Sequence, residues 1–178
     1  VRVEDRQVTP AVEYLLDPFE LRIAGFSTAP GTQLKIAMDT RVNETGGIEK
    51  MTIEQWKRVL DINLMGTIYS CRAAFPLMKA QGAGDIVNIS STSGRRSAAA
   101  FASYSTSKFG VTGFTEALRQ ECGGQGIRVS IIEPGATESE IASSISDPQW
   151  RDAIQQHVTK DGAMKASDIA DAILFICG

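Results

Sequence analysis

Hydrophobic and polar positions along the middle of the chain follow two helical patterns. Over residues 53–80 the apolar side chains recur every three or four positions, which is typical of one face of an amphipathic helix. Thr52 and Gln55 form a capping-box pattern at the start of this helix, and Pro76 and residues 82–84 (Gly-Ala-Gly) are expected to break it. The same spacing predicts a second helix over residues 103–122.

Short apolar runs rich in β-branched residues separate the helices and predict buried strands. We predict strands over residues 34–42, 85–90 and 127–132. A further helix is predicted over residues 148–158, and Ser167 and Asp168 are expected to cap a last helix. Because strands alternate with helical crossovers, this order predicts an α/β fold with a Rossmann-like, doubly wound parallel sheet covered on both faces. Residues 1–33 show no firm periodicity.

The composition narrows the class of protein. The chain has 178 residues, 43% hydrophobic and 22% charged, which is typical of one folded domain over residues 1–178. Its net charge of −3 argues against a nucleic-acid partner, and no apolar run reaches the roughly 18 residues that cross a membrane. Three scattered cysteines suit a reducing, cytoplasmic setting. With His157 as the single histidine, neither a metal site nor a Ser-His-Asp hydrolase is expected.

Tyr104 and Lys108 are the most informative polar residues. They lie four positions apart in the second predicted helix, so their side chains share one helix face. An ammonium beside a phenol stabilises the phenolate, which makes tyrosine usable as a general acid or base near neutral pH. Taken alone, however, the spacing favours an ordinary amphipathic helix.

The position of Ser91 favours a catalytic interpretation of Tyr104 and Lys108 over an ordinary amphipathic helix. It follows the second predicted strand and lies 13 residues before Tyr104. Ligands of an open α/β sheet bind beyond the carboxyl ends of the strands, so Ser91, Tyr104 and Lys108 are expected to face one crevice. Ser90 and Ser93 are the alternatives, because serine-rich loops mostly form turns.

These residues resemble the active-site segment of the short-chain dehydrogenase/reductase family. The resemblance rests on four motifs in order, at residues 61–64 (DINL), 88–94 (NISSTSG), 104–108 (YSTSK) and 132–139 (IEPGATES). It covers residues 39–178 as a catalytic part, whereas residues 1–38 match poorly.

The resemblance implies a role for each matching residue. Tyr104 exchanges a proton with the reacting oxygen, Lys108 lowers the pKa of Tyr104 and holds the nicotinamide ribose, and Ser91 hydrogen-bonds the substrate. Asn63 holds a water that links Lys108 to solvent. The cofactor-binding positions that it implies are Asn43, Gly46, Tyr104, Lys108, Pro134, Gly135, Thr137 and Ser139.

The cofactor and partners are implied in the same way. The cofactor is NAD or NADP, and the substrate is a small-molecule alcohol or carbonyl compound. The helices over residues 53–80 and 103–122 resemble those that pair in the family's homodimers and homotetramers, so a homo-oligomer is expected.

The chain also departs from the family pattern. The glycine-rich fingerprint Thr-Gly-x-x-x-Gly-x-Gly is absent, because residues 1–42 contain only Gly25 and Gly31. Residues 43–46 are Asn-Glu-Thr-Gly where the family has Asn-Asn-Ala-Gly, and the family's last strand has no counterpart. Either the chain is a degenerate member, or the sequence omits segments of a longer chain. If it is whole, nucleotide binding is expected to be weak or absent.

Three functions are compatible with these observations. The leading one is NAD(P)-dependent interconversion of an alcohol and a carbonyl by hydride transfer. The alternative is a non-catalytic relative, a scaffold or oligomerisation partner that has lost dinucleotide binding. A flavodoxin-like binding module shares the fold class but leaves Ser91, Tyr104 and Lys108 unexplained.

Overall fold

The computed structural model describes residues 22–24, 34–39, 42–138, 140–160 and 162–178. In this part of the chain the strands are β1 (Arg22–Ala24), β2 (Leu34–Asp39), β3 (Gly84–Ile89) and β4 (Ile127–Ile132). The helices are α1 (Ile53–Leu60), α2 (Gly66–Gln81), α3 (Ala102–Glu121), α4 (Pro148–Lys160) and α5 (Ala166–Cys177), and a π-helical segment (Asp61–Met65) joins α1 to α2.

The described strands form one sheet in the order β1-β2-β3-β4. β2, β3 and β4 are parallel, and Ile36, Ile86 and Val129 lie side by side across them. The segment from α1 to α2 connects β2 to β3, and α3 connects β3 to β4. These helical crossovers confirm the predicted parallel, Rossmann-like α/β arrangement.

The first strand, β1, lies in the segment for which the sequence predicts no element, and it adds an antiparallel edge to the sheet. β1 pairs antiparallel with β2, with Arg22 opposite Asp39 and Ala24 opposite Ala37. Only residues 25–33 separate the two strands, whereas a parallel connection needs about a dozen residues or more. The short connection therefore imposes the antiparallel direction.

Helices cover both faces of the sheet, as predicted. α2 and α3 pack on the face that carries Ile86, whereas α5 packs on the face that carries Val87, because successive strand residues point to opposite sides. The larger core, on the α2–α3 side, contains Leu34, Ile36, Cys71, Ala74, Met78, Ile86, Leu118, Cys122, Ile127 and Val129. Within the described residues, no helix combines the length and apolar character that crossing a membrane requires.

The start of the first crossover is as predicted, but its interior is not. The Gln55 N–H donates to Thr52 Oγ1 (3.2 Å) and the Thr52 N–H to Gln55 Oε1 (2.9 Å), which completes the capping box. The predicted break at Pro76 is wrong, because Pro76 lies inside α2. Proline deprives the carbonyl of Arg72 of its helical donor, yet both residues are exposed, so water can hydrogen-bond that carbonyl.

The last helix begins earlier than predicted. The residue that precedes α5 is Lys165, so the prediction that Ser167 caps this helix is wrong. Asp168 does contribute, because its Oδ2 accepts the Lys165 N–H at 2.9 Å. The carboxylate therefore acts from the third helical position.

A buried carboxylate joins the three parallel strands at the end opposite to the predicted site. Asp85 is 2% exposed at its side chain and receives Arg128 Nε at 2.6 Å, while Lys35 Nζ lies 3.6 Å away. The three residues are paired in register, and Lys35 also donates to the carbonyl of Cys177 at the end of α5. Asp85 thus links the sheet to α5 through Lys35.

We expect Asp85→Asn to lower the free energy of unfolding by about 1–3 kcal/mol, because an amide cannot replace a charged acceptor for Lys35 and Arg128. Urea denaturation of both proteins measures the difference. Asp152→Asn is the control, because Asp152 is exposed on α4. Equal stability of the Asp85 and Asp152 variants would contradict the importance of this contact.

Candidate active site

The carboxyl ends of the three parallel strands meet at one edge of the sheet. Two backbone hydrogen bonds hold the segments that leave β3 and β4 together there, from Ser90 N to Ile132 O (2.8 Å) and from Thr92 N to Pro134 O (2.9 Å). The loop that follows β2, residues 42–47, begins at the same edge because β2 is parallel to β3. This convergence places the predicted site residues around one edge.

Tyr104 and Lys108 lie in the first turns of α3 on the face that points into the protein. Lys108 is fully buried and Tyr104 is 8% exposed. Lys108 Nζ donates to the carbonyl of Ile89 at 3.1 Å and lies 5.8 Å from the centre of the Tyr104 ring. The ammonium is therefore held between the end of β3 and the phenol.

Ser91 stands directly beyond β3, as predicted. Its side chain is 9% exposed, and Ser91 Oγ accepts the Ser93 N–H at 3.1 Å and lies 3.5 Å from the carbonyl of Pro134. These contacts place the hydroxyl between the ends of β3 and β4. Ser90 has a different role, because Ser90 Oγ donates to the carbonyl of Lys108 at 3.0 Å and so fastens β3 to α3.

Gly94 allows the loop after Ser91 to approach α3 closely. A β-carbon at Gly94 would lie 2.5 Å from Ser90 Oγ and 2.9 Å from the carbonyl of Lys108. Real side chains do not tolerate such distances, so this position requires glycine. The glycine of the 88–94 motif is explained by packing between the loop and α3.

Asn63 is fully buried in the π-helical segment. Its Oδ1 accepts the Val42 N–H at 2.8 Å, and its Nδ2 donates to Val42 O at 2.7 Å and to Ser107 Oγ at 3.1 Å. The π-helical segment widens the helix locally, and such segments are frequent at functional sites. Asn63 thereby joins the end of β2 to the α3 turn that carries Tyr104 and Lys108.

Two buried polar atoms of the loop after β2 have no hydrogen-bond partner in the part of the chain that the structure describes. Asn43 and Thr45 are 3% and 5% exposed, and neither Asn43 Oδ1 nor Thr45 Oγ1 makes a hydrogen bond among the described residues. The Gly46 N–H donates to Ala100 O at 2.9 Å, which holds this loop against the turn before α3. Buried polar atoms normally have partners, so these two are candidates for ligand contacts.

The segment after β4 contains the remaining predicted positions. Pro134 and Gly135 follow the strand, and Thr137 Oγ1 donates to the carbonyl of Gly135 at 3.2 Å. Thr137 also forms a bridge with Met164. Ser139 lies outside the described residues.

Arg95 and Cys71 carry groups that could take part in chemistry, but the structure gives both side chains other environments. Arg95 forms an ion pair with Glu133, with Nε 2.8 Å from Oε1, a contact that the sequence analysis missed. Burial raises the pKa of Cys71 to about 12, so its thiol stays protonated at neutral pH. In the part of the chain that the structure describes, no group of three or more His, Cys, Asp or Glu could hold a metal ion.

Comparison with known proteins decides the family. The profile described as short chain dehydrogenase matches residues 37–150, which include the four motifs up to the segment after β4. The chain belongs to the short chain dehydrogenase family. The residues that the family profile matches include both Tyr104 and Lys108.

Individual relatives of the family agree with this assignment. The chain is 31% identical over 137 residues to 2-(R)-hydroxypropyl-CoM dehydrogenase of Xanthobacter autotrophicus, covering 76% of this chain and 55% of that protein. It is 35% identical over 127 residues to acetoacetyl-CoA reductase of Paracoccus denitrificans, covering 71% of this chain and 52% of that protein. The chain thus spans about half the length of the curated relatives it matches.

Solved structures support the same short chain dehydrogenase fold. Levodione reductase superposes with a TM-score of 0.69 at 26% identity, over 79% of this chain and 57% of that chain. A short-chain dehydrogenase from Streptomyces avermitilis gives a TM-score of 0.67 at 25% identity, over 80% of this chain and 56% of that chain. The described sheet and helices are therefore those of a Rossmann fold.

We expect Asn63→Asp to lower the free energy of unfolding by about 1–3 kcal/mol. The carboxylate cannot donate to Val42 O or Ser107 Oγ, and it places a charge in a fully buried position. Urea denaturation compares this variant with Asp61→Asn, an opposite change at an exposed position of the same π-helical segment. A loss of stability no larger than that of Asp61→Asn would contradict the bridging role of Asn63.

Proposed function

We propose that the protein carrying this chain is an NAD- or NADP-dependent oxidoreductase that interconverts an alcohol and a carbonyl group. The observation that carries the proposal is the buried pair of Tyr104 and Lys108 beside Ser91, at the edge where β3 and β4 end. A lysine is almost never fully buried without a partner, and this one is held against a phenol. Enclosed pairs of titratable groups of this kind are typical of catalytic sites.

The residues present fit the nicotinamide end of such a cofactor. Asn43 Oδ1 and Thr45 Oγ1 are buried and have no hydrogen-bond partner among the described residues, and their loop contacts the turn before α3 through Gly46 and Ala100. The positions that would hold the group are Asn43, Gly46, Tyr104, Lys108, Pro134, Gly135, Thr137 and Ser139. Among the described residues there is no glycine-rich turn from a strand into a helix, so no residue is assigned to the pyrophosphate.

When bound, the nicotinamide ring supplies or takes up the hydride. In this proposal Ser91 Oγ donates a hydrogen bond to the substrate oxygen and so holds that oxygen for the Tyr104 hydroxyl. Tyr104 then gives a proton to the oxygen during reduction, or removes it during oxidation. Lys108 stabilises the phenolate that remains, because its ammonium is close and shielded from water.

Asn63 has a positioning role in this mechanism. Its hydrogen bond to Ser107 Oγ and its two bonds to Val42 fix α3 relative to the loop that carries Asn43. We further propose that it holds the water through which Lys108 exchanges protons with solvent. The substrate is a small molecule, and the names of the relatives suggest trying acetoacetyl-CoA and levodione first.

Substitution of three residues tests the mechanism. We expect Tyr104→Phe to lower turnover by about 10²–10⁴-fold, because the ring remains but the transferable proton is lost. Lys108→Met is expected to be comparably damaging, and Ser91→Ala milder, because it removes a hydrogen bond and not the proton donor. Turnover against pH with one carbonyl substrate and NADH or NADPH measures all three.

Matched controls exist for each variant. Tyr69→Phe, Lys79→Met and Ser93→Ala make the same chemical changes at residues that lie outside the proposed catalytic group, and Tyr69 and Lys79 are exposed on α2. These controls are expected to keep turnover within about twofold, as is usual for surface changes away from a site. Near-normal turnover of Tyr104→Phe would overturn the mechanism.

We also propose that the protein is a homodimer or homotetramer. α2 and α3 expose Tyr69, Leu77 and Phe109, which are 46%, 49% and 46% exposed. Apart from the neighbouring backbone of α3, no atom of the described residues lies within 4 Å of where a β-carbon of Gly113 would be, so a partner helix can approach closely there. Large exposed apolar side chains on neighbouring helices are typical of an association surface.

Light scattering tests the assembly. We expect the mass of a symmetric oligomer at micromolar concentration, and a lower mass for Phe109→Glu, because a charge on the surface opposes association. Gln156→Glu is the control, because it introduces the same charge at an exposed polar residue of α4. A monomer mass throughout the micromolar range would contradict this proposal.

A further inference from the structure

Glu44 is an acidic residue buried in the loop after β2. Its exposed fraction is 3%, and Arg58 Nη1 of α1 donates to its Oε1 at 3.1 Å. Carboxylates are rarely buried unless they are paired, and here Arg58 supplies the opposite charge. Arg58 is 49% exposed and covers the pair from the solvent side.

The same carboxylate binds the segment that follows β4. The Ser146 N–H donates to Glu44 Oε2 at 2.9 Å, and Ser146 Oγ donates to Glu44 Oε1 at 2.7 Å. Next to this contact, Ser144 Oγ accepts the Asn43 N–H at 2.9 Å. Ser144 Oγ also lies 3.1 Å from the carbonyl of Asn43. Residues 140–146 are therefore fastened to the loop by hydrogen bonds that span about a hundred positions of the sequence.

The backbone of Glu44 reaches the third element of the site. Ser103 Oγ donates to the carbonyl of Glu44 at 3.0 Å, and Ser103 is fully buried immediately before Tyr104. Glu44 thus contacts the start of α3 through its carbonyl and residues 140–146 through its carboxylate. No other residue of the loop combines these contacts among those described.

A cavity of about 300 Å³ lies between the two segments that Glu44 joins. Thr45 and Gly46 of the loop line it together with Ser146 and Asp147, and Lys50, Met51 and Gln55 complete the lining. Glu44 does not line the cavity, but its bonds to Ser146 join two of the lining segments. A carboxylate is needed because its two oxygens accept three donors at once, whereas the nitrogen of an asparagine or glutamine amide accepts none.

We propose that Glu44 is a positioning residue that holds residues 140–146 against the loop after β2 and thereby shapes the substrate side of the site. The consequence for substrate binding rests on the proposed oxidoreductase function, whereas the docking of the segment does not. Glu44 touches no reacting atom in this scheme and acts through Ser146 and Ser144.

Hydrogen exchange measured by mass spectrometry tests the docking without any activity. In Glu44→Gln the amides of residues 140–147 are expected to exchange roughly tenfold faster, as the loss of charged hydrogen bonds implies. Peptides from β3 and from the end of α3 are expected to be unchanged. Glu44→Asp keeps the charge and both acceptors, so it should restore part of the protection.

The controls separate docking from general destabilisation. Glu49→Gln makes the same change at an exposed position five residues away and is expected to leave exchange unaltered. Ser146→Ala removes one hydroxyl donor from an exposed residue, so it keeps the fold even where Glu44→Gln does not, and should speed exchange in the same segment. Unchanged exchange of residues 140–147 in both variants, or an equal increase along the whole chain, would overturn the proposal.

Kinetics test the consequence for the substrate. At saturating nucleotide, Glu44→Gln is expected to raise the KM of a carbonyl substrate roughly tenfold, with kcat changed less, because binding and not proton transfer is disturbed. A fall in kcat at constant KM would contradict a positioning role. If the unaltered protein turns over no carbonyl compound, the proposed function fails, and the exchange result still decides the docking role of Glu44.

Discussion

The burial of one ammonium group organises the site. Lys108 is the largest of the fully buried side chains in the described part of the chain, and a charge out of contact with water needs strong partners. Its bond to Ile89 O can form only because α3 packs against the end of β3. Ser90 and Gly94 make that packing possible, one by bonding the backbone of Lys108 and the other by leaving room for it. Tyr104 is therefore placed by the same contacts that bury Lys108.

Local patterns in the sequence predict much of this arrangement. Helical periodicity puts Tyr104 and Lys108 on one face, and the β-branched run before Ser91 predicts a strand whose carboxyl end faces the site. Both inferences depend only on neighbouring residues. The structure places these three side chains around the same edge of the sheet, while their catalytic roles remain a proposal.

Contacts between distant residues could not be predicted in this way. The bonds from Glu44 to Ser146 join positions that are 102 residues apart, and the partner of Arg95 lies 38 residues away. The antiparallel β1 and the continuation of α2 through Pro76 depend on a short connection and on exposure to water. Periodicity carries no information about these, because it reports which face of an element is buried and not what covers it.

The departure of residues 43–46 from the family pattern has a physical consequence. The carboxylate of Glu44 accepts hydrogen bonds from Arg58 and from Ser146. These bonds connect the loop to α1 and to residues 140–146. The site is thus held from three sides: by Asn63 through Val42, by Ser103 through the Glu44 carbonyl, and by the carboxylate itself. The described residues in this way build the part of the site to which we assign the chemistry at the reacting oxygen.

The central claim is that this part of the site supports direct hydride transfer to a carbonyl carbon. The most direct measurement follows deuterium from NADH or NADPH that carries deuterium at both C4 positions into the alcohol product, in ordinary water, by mass spectrometry. Our account predicts one deuterium on the carbinol carbon for each turnover, with the hydroxyl proton coming from solvent. Alcohol formed without deuterium on that carbon, or no alcohol from any carbonyl compound tested, would contradict it.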